Sequence, residues 1–226
     1  MTAVIRAVLF DAVGTLIHLR EPVGDTYARF ARAHGVDATP SVLQAAFARV
    51  LHAMPPMAFG GSAAAVREAE RQWWRTVVRA VFDAAGVMPR FAGFERCFDE
   101  LFAHYGGAGA WRCGSGVVDT LRRLRDRGRA VAMVSNFDHR LPALLDALGL
   151  ASLFDAVVLP ADAGAAKPDR RIFDCALTRL GGVPAAQALY VGDDVAGDVG
   201  GAQRAGLQVI DATGLDDMRA LLAQID

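Results

Sequence analysis

The chain has 226 residues, of which 53% are hydrophobic and 22% are charged, and its formal net charge is −1. This composition is ordinary for a globular protein with a substantial core, and it excludes a disordered or collagen-like chain. The near-zero net charge argues against nucleic acid or an acidic membrane surface as a partner.

The first predicted element is a buried strand at residues 5–10, an apolar run that ends at Asp11. Val13, Gly14 and Thr15 follow it as a turn. A strand of a parallel sheet presents a side chain at its carboxyl end in this way. The sequence therefore predicts that Asp11 lies at one edge of a sheet.

Four helices are predicted next. Proline, a capping serine and closing glycines mark their ends. A Gly/Ala-rich segment at 106–110 then has the composition of a linker. The predicted ranges are 22–34, 41–54, 62–85 and 91–105.

From Gly116 onward, predicted helices and strands alternate. Repeated strand–helix units with short turns imply a parallel sheet covered on both faces, and the first strand must join it to be buried. We predict an α/β fold: a doubly wound parallel sheet of residues 1–16 and 112–226, with a helical domain of residues 17–111 inserted after the first strand. The predicted strands are 130–134, 156–159, 188–191 and 207–210, and the predicted helices are 117–127, 139–148, 170–180, 199–205 and 216–223.

Other features bear on the location of the protein. The three cysteines are far apart and form no CxxC pair, which argues against a disulfide framework or a zinc site and favours reduced thiols. No run of about 18 uncharged apolar residues occurs, and the apolar opening lacks a signal-peptide cleavage pattern. We expect a soluble, cytoplasmic protein with no membrane partner.

Polar side chains cluster where the predicted strands end. The carboxyl ends of parallel strands meet at one edge, so these groups should converge there. Several carboxylates at one edge repel each other, and oxygen ligands suit Mg²⁺. A lysine and a hydroxyl group beside Mg²⁺ form a phosphate-binding set. The residues concerned are Asp11, Ser135, Asn136, Lys167, Asp193, Asp194 and Asp198.

These segments resemble, in order, the motifs of the haloacid dehalogenase-like (HAD) superfamily, and the helical insert stands where that superfamily has its type 1 cap. Residues 19–22, 73–74 and 135–138 further resemble one of its subgroups. The resemblance implies a Rossmann-type core and hydrolysis of a small phosphorylated metabolite. The four motifs are matched by residues 10–16, Ser135-Asn136, Lys167-Pro168-Asp169, and Gly192-Asp193-Asp194 with Asp198.

The same resemblance implies a role for each catalytic position. Asp11 is the nucleophile and forms an aspartyl-phosphate. Lys167, the only lysine of the chain, screens the carboxylates and the phosphate. Ser135 and Asn136 bind the phosphoryl group, and Asp198 supports the metal's waters or the lysine.

The implied cofactor is Mg²⁺. Its ligands are Asp11, the main-chain carbonyl of Val13, and Asp193. The role of Asp194 stays open, since a hydroxyl residue often occupies that position in the superfamily. Arg20, next to the insert, is a further candidate for substrate contact, with a surface ion pair as the alternative.

Val13 marks the main departure from the phosphatases of this superfamily. They have a second aspartate there, which protonates the leaving oxygen and then activates water. A valine side chain moves no proton, and general acid–base catalysis contributes about 10²–10⁴ in rate. Alkyl phosphates should therefore turn over slowly, whereas acyl and aryl phosphates need the acid less. His18 is a candidate replacement acid.

Three alternatives compete with the phosphohydrolase. A 2-haloacid dehalogenase needs no general acid, but it leaves the acidic cluster of Asp193, Asp194 and Asp198 without a cation. A phosphonoacetaldehyde hydrolase needs a cap lysine, and the single Lys167 belongs to the core motif. A catalytically weak member that binds a phosphorylated ligand or a protein stays open.

Overall fold

The computed structural model describes residues 4–225, with the backbone alone described at 195 and 196. The chain divides into two units. The core unit comprises Met1–His18, Met57–Gly60 and Arg112–Asp226, and the helical unit comprises Leu19–Pro56 and Gly61–Trp111. No helix among the described residues is both long and apolar enough to cross a membrane.

The strands, in chain order, are β1 (Ala7–Phe10), β2 (Ile17–Leu19), β3 (Trp111–Cys113), β4 (Ala130–Val134), β5 (Ala156–Val158), β6 (Ala188–Gly192) and β7 (Gln208–Asp211). The α-helices are α1 (Val23–Ala33), α2 (Pro40–Ala53), α3 (Ala63–Ala84), α4 (Phe94–Gly106), α5 (Val117–Asp126), α6 (Leu141–Ala147), α7 (Pro160–Ala163), α8 (Arg170–Arg179) and α9 (Gly200–Arg204).

A five-stranded parallel sheet, in the order β5-β4-β1-β6-β7, forms the centre of the core unit. Phe10 of β1 is in register with Met133 of β4 and with Val191 of β6. Every residue of β1 and of β6 is buried, as expected for strands covered on both faces. The chain proceeds from β1 to one side of the sheet and then returns to the other, so the order reverses at β1. The predicted doubly wound α/β fold is confirmed.

Helix α8 supplies part of the core beneath this sheet. Phe173 of α8 is fully buried, and its ring meets the ring of Tyr190 of β6 edge-on, with the centroids 5.3 Å apart. Leu177, one turn further along the helix, is buried in the same cluster. Asp169 begins the helix by accepting a hydrogen bond from the Arg171 N–H. The loop before α8 is thereby fixed against the sheet, and that loop carries Lys167.

Aromatic rings pack against one another in the core of the helical unit, which contains α1 to α4. The ring of Phe82 lies 5.7 Å from that of Tyr27 and 4.8 Å from that of Phe91, centroid to centroid. Ser62 caps α3 by accepting a hydrogen bond from the Ala65 N–H at 3.3 Å. The four helices predicted between residues 22 and 105 all occur, within a few residues of their predicted ends.

Four features of the backbone differ from the sequence prediction. The helix expected at 216–223 is a 3-10 helix, Met218–Gln224. Strands β2 and β3 form a separate two-stranded sheet, and at three residues each they are too short to show a periodic pattern. The short helix α7 lies directly after β5 and was not predicted. The helix expected at 199–205 is preceded by a π-helical turn, Val195–Val199, which leads into α9.

Candidate active site

The turn after β1 places Asp11 at the edge of the sheet. The Asp11 N–H donates to the Val191 carbonyl of β6 at 2.9 Å, so the backbone stays paired one residue beyond the strand. The Gly14 N–H then donates to the Ile17 carbonyl at 2.9 Å and closes the turn. Gly14 has φ +92°, in the left-handed region that favours glycine. Asp11 is thus a buried carboxylate on a tightly defined backbone.

Lys167 lies at the centre of a buried polar cluster. Its ammonium group donates to Asp11 Oδ1 at 2.5 Å, to the Tyr190 hydroxyl at 2.9 Å, and to Asp198 Oδ2. The side chain of Lys167 is only 1% exposed. An ammonium group has three hydrogens, and each of them has an acceptor here.

The surroundings keep this lysine charged. Burial lowers the pKa of Lys167, but the neighbouring Asp11, Tyr190 and Asp198 outweigh burial, and the pKa lies above its ordinary value. Burial raises the pKa of Asp11 by more than Lys167 lowers it, and the nearby Asp193 raises it further. Burial also raises the pKa of Asp198 against the effect of Lys167. The anionic forms of both aspartates are therefore costly without additional positive charge.

Asn136 holds the main chain of Lys167. Its Oδ1 accepts from the Lys167 N–H at 2.7 Å, and its Nδ2 donates to the Lys167 carbonyl at 3.0 Å. This reciprocal pair ties the end of β4 to the lysine loop. The contact seen for Asn136 is therefore a positioning contact, and its predicted binding of substrate stays a prediction.

Ser135, the residue before it, is buried at the end of β4. Its main-chain N–H donates to the Val158 carbonyl of β5 at 3.1 Å, and its Oγ accepts from the Phe137 N–H at 3.2 Å. A serine hydroxyl that accepts in this way still has its own hydrogen to donate. The hydroxyl is therefore suited to donate to an anionic oxygen.

Asp193 is held against the turn that carries Asp11. Thr15 Oγ1 donates to Asp193 Oδ1 at 3.2 Å, and a Cβ placed on Gly14 would lie 2.0 Å from Asp193 Oδ2. The carboxylate thus occupies the space that the missing side chain of Gly14 leaves open.

Asp11, Asp193 and Asp198 give three negative charges, and Lys167 gives one positive charge. The formal net charge of −2 and the all-oxygen donor set fit a divalent cation such as Mg²⁺.

Asp194 stabilises the turn that carries Asp198. Its Oδ1 accepts from the Gly197 N–H at 2.9 Å, and its main-chain carbonyl accepts from the Val199 N–H at 3.0 Å. A Cβ on Gly197 would lie 2.4 Å from Asp194 Oδ2, so this carboxylate packs closely against the turn. The role of Asp194 was open from the sequence, and the contact seen here is a structural one.

The remaining predicted residues lie outside the lysine cluster. Val13 is 37% exposed on the turn after Asp11. Arg20 is an exposed residue of the helical unit, where its main-chain N–H donates to the Ala110 carbonyl, and its contact with a substrate stays a prediction. Burial and Arg112 lower the pKa of His18, and Asp193 opposes them. The role of His18 as a replacement acid stays a prediction.

Comparison with known proteins agrees with this arrangement. The family model for haloacid dehalogenase-like hydrolases matches residues 5–206. The chain belongs to the haloacid dehalogenase-like hydrolases. The human haloacid dehalogenase-like hydrolase domain-containing protein 3 is 37% identical over 203 residues, which cover 90% of this chain and 80% of that protein. This match confirms both the superfamily and the subgroup that the motifs predicted.

Solved structures of HAD proteins with different activities are similar to this one. A structure described as a dehalogenase has a TM-score of 0.64 and 27% identity, and the match covers 92% of this chain and 84% of that one. A HAD phosphatase from Thermococcus onnurineus has a TM-score of 0.58 and 24% identity, and covers 92% and 86%. The shared fold therefore does not separate a dehalogenase from a phosphatase, and the choice rests on the site.

One member of the HAD site, Tyr190, was missed from the sequence. It lies within the run Ala188-Leu189-Tyr190-Val191, which predicts a buried apolar strand. A phenolic hydroxyl in such a strand needs a polar partner, because burying it without one is costly. That requirement was the available signal, although it does not name Lys167 and Asp198 as the partners.

The contact between Gly14 and Asp193 can be tested with Gly14→Ala and a control, Gly128→Ala. Gly128 also has positive φ, at +70°, but a Cβ there meets no atom within 4 Å. The control should lose about 1–2 kcal/mol of unfolding free energy from backbone strain alone. Gly14→Ala should lose at least about 1 kcal/mol more, since Asp193 must move. Denaturant unfolding measures both, and equal losses would contradict the contact.

Proposed function

We propose that this HAD hydrolase is a Mg²⁺-dependent phosphohydrolase that acts on a small phosphorylated metabolite through an aspartyl-phosphate at Asp11. The observation that carries the proposal is the excess of carboxylate. Lys167 is already shared by Asp11 and Asp198, and Asp193 is held beside Asp11 as a further negative charge. A dication and a phosphoryl group together are the natural complement of such a set.

The residues that would hold Mg²⁺ are Asp11, the carbonyl of Val13, and Asp193. When bound, the cation would offset the charge of these carboxylates and of the phosphoryl oxygens. Lys167 is too enclosed by its three acceptors to provide that charge alone. Ser135 would add a neutral hydrogen-bond donor for a phosphoryl oxygen.

The reaction itself would proceed in two displacements. A carboxylate oxygen of Asp11 attacks phosphorus in line, the bond from phosphorus to the leaving oxygen breaks, and that oxygen departs with the electron pair. Water then attacks the phosphorus of the aspartyl-phosphate, the bond to Asp11 breaks, and inorganic phosphate is released. The ammonium group of Lys167 would stabilise the Asp11 carboxylate before the attack and again when the bond from phosphorus to Asp11 breaks.

Val13 shapes which substrates suit this site. An alkoxide is a strong base and leaves slowly without a proton, whereas a phenolate or a carboxylate leaves with less help. The exposed side chain of Val13 donates none. We therefore infer that acyl and aryl phosphates are better substrates than alkyl phosphates.

A 2-haloacid dehalogenase is the second candidate, and Val13 is the observation that favours it. Halide leaves without a proton, so that chemistry does not need the missing acid. The carboxylate of Asp193, fixed by Thr15, has no use in such a reaction. A third candidate, a member that binds a phosphorylated ligand without turnover, is favoured by the same missing acid.

The proposed function is tested by hydrolysis of p-nitrophenyl phosphate and acetyl phosphate with and without Mg²⁺. Wild type should turn over both in Mg²⁺, and Asp11→Asn should lose at least about 10³ in kcat, because an amide is not a usable nucleophile. Asp126→Asn, a change at an exposed aspartate of α5, is the matched control and should keep wild-type activity.

Two other results would replace the proposal. Chloride release from 2-chloropropionate in the presence of a metal chelator would establish the dehalogenase. Binding of inorganic phosphate without turnover of any ester or acyl phosphate would favour the ligand-binding role.

Magnesium binding has its own measurement, independent of turnover. The melting temperature of wild type should rise by about 3 °C or more in millimolar Mg²⁺, as for a ligand that binds only the folded state. Asp193→Asn should lose the shift. Asp194→Asn should keep it, since an asparagine can still accept from the Gly197 N–H. If both variants respond like wild type, Asp193 is not a ligand.

Restoring an acid at Val13 tests the assignment of the missing group. Val13→Asp should raise kcat/KM toward alkyl phosphates by about tenfold, below the full range of acid–base catalysis, because the cleft has not been shaped for another carboxylate. The gain for aryl phosphates should be smaller, since phenolates leave with less help.

Val13→Asn is the control for that prediction, because it is polar and similar in size but does not titrate. It should show no gain. If a folded Val13→Asp variant that still responds to Mg²⁺ improves alkyl esters no more than aryl esters, then the absent acid is not what limits this enzyme.

A further inference from the structure

Tyr190 is a fully buried residue of β6 that the proposed mechanism does not use. Its hydroxyl oxygen lies 2.9 Å from Lys167 Nζ and 3.3 Å from Asp198 Oδ2. Chemistry fixes the direction of both hydrogen bonds. An ammonium group only donates, so the tyrosine oxygen accepts from Lys167, and its own hydrogen is then directed to Asp198. Lysine, tyrosine and aspartate thus form a closed triangle.

The ring of Tyr190 has little freedom to move. On one side it packs edge-on against Phe173 at 5.3 Å between centroids. On another side the backbone of Gly192 is so close that a Cβ there would lie 2.8 Å from Tyr190 Cε1. The central strand β6 fixes the main chain through its pairing with β1. The hydroxyl group is therefore a fixed point, unlike the end of the long and flexible side chain of Lys167.

The fixed hydroxyl of Tyr190 matters because it accepts the third hydrogen of the Lys167 ammonium group. Asp11 and Asp198 accept two of the hydrogens, and both acceptors are carboxylate groups at the ends of side chains that can turn together with the ammonium group. A third acceptor in a fixed place removes that freedom. The hydroxyl also donates to Asp198 Oδ2, the same oxygen that accepts from Lys167, so it holds that acceptor in place as well.

We propose that Tyr190 is a positioning residue of this active site, whose hydroxyl group holds the Lys167 ammonium group at Asp11. Its effect on catalysis rests on the proposed function, whereas its effect on Lys167 does not. Tyr190→Phe removes the hydroxyl and keeps the ring. The lysine then has one hydrogen without its acceptor, and Asp198 loses a donor.

The single lysine makes a direct measurement available. Protein grown with lysine labelled with ¹⁵N at the side chain gives one ammonium signal in an NMR spectrum, from Lys167, and needs no assignment. In Tyr190→Phe this signal should shift, and its hydrogens should exchange with solvent about tenfold faster, the size expected for loss of a hydrogen bond to a charged group. An unchanged signal with unchanged exchange would overturn the proposal.

Activity provides the second readout, with Phe173→Leu as the matched control. That change disturbs the packing of the same ring but removes no hydrogen bond. Tyr190→Phe should lower kcat about tenfold with KM within about twofold, at little cost in melting temperature. Phe173→Leu should lower the melting temperature more and kcat less. If the loss of activity follows the loss of stability in both variants, the hydroxyl has only a structural role and the proposal fails.

Two further experiments decide the role of Tyr190 even if the proposed function fails or the variant does not fold. If wild type hydrolyses no phosphate at all, the proposed function fails and the NMR measurement still decides the role of Tyr190. If Tyr190→Phe does not fold, wild type grown with 3-fluorotyrosine replaces it, because fluorine makes the hydroxyl a weaker acceptor and a stronger donor. Tyr27 and Tyr105, the other tyrosines, belong to the helical unit. The Lys167 signal should shift in that protein, and an unshifted signal counts against the proposal.

Discussion

A single buried ammonium group organises the candidate site. Lys167 is charged, enclosed and shared between Asp11 and Asp198, two carboxylates whose pKa values burial raises. Removing Lys167 would leave both carboxylates buried without a counter-charge, which is far more costly than the intact cluster. The sheet topology is what brings them together. Asp11 follows β1, Asp198 follows the adjacent β6, and the lysine loop is tied to the end of β4 through Asn136.

The cluster as a whole carries a net negative charge in the interior of the protein. Lys167 offsets only part of the charge, and Asp193 adds more from the direction of the Gly14 turn. Under the proposed function, a cation and an anionic substrate would together offset this charge. Binding and electrostatic stabilisation of a phosphoryl group would then come from the same imbalance.

Sequence reasoning could locate this site because strand ends are visible in a sequence. Buried apolar runs that stop at Asp11, Ser135 and Asp193 predict one sheet edge, and the parallel topology does the rest. What it could not supply are contacts that depend on packing across the sheet. Tyr190, whose hydroxyl contacts Lys167, is 23 positions from it in the sequence. Asn136, which makes reciprocal bonds to the Lys167 main chain, is 31 positions away. Strands β2 and β3 were not predicted, because a strand of three residues is too short to show alternation of buried and exposed side chains.

This geometry also places charge stabilisation and proton transfer on different residues. The groups that handle charge are interlocked, so changing one disturbs the others. Val13 stands outside that network: its side chain is partly exposed, and the turn that carries it is fixed by main-chain bonds of Gly14 and Leu16 rather than by the side chain itself. An acid can therefore be absent at this position without collapse of the rest. Under the proposed function, the residues that bind the phosphoryl group and the residue that assists the leaving group are therefore independent of each other, and substrate chemistry decides how much the missing acid matters.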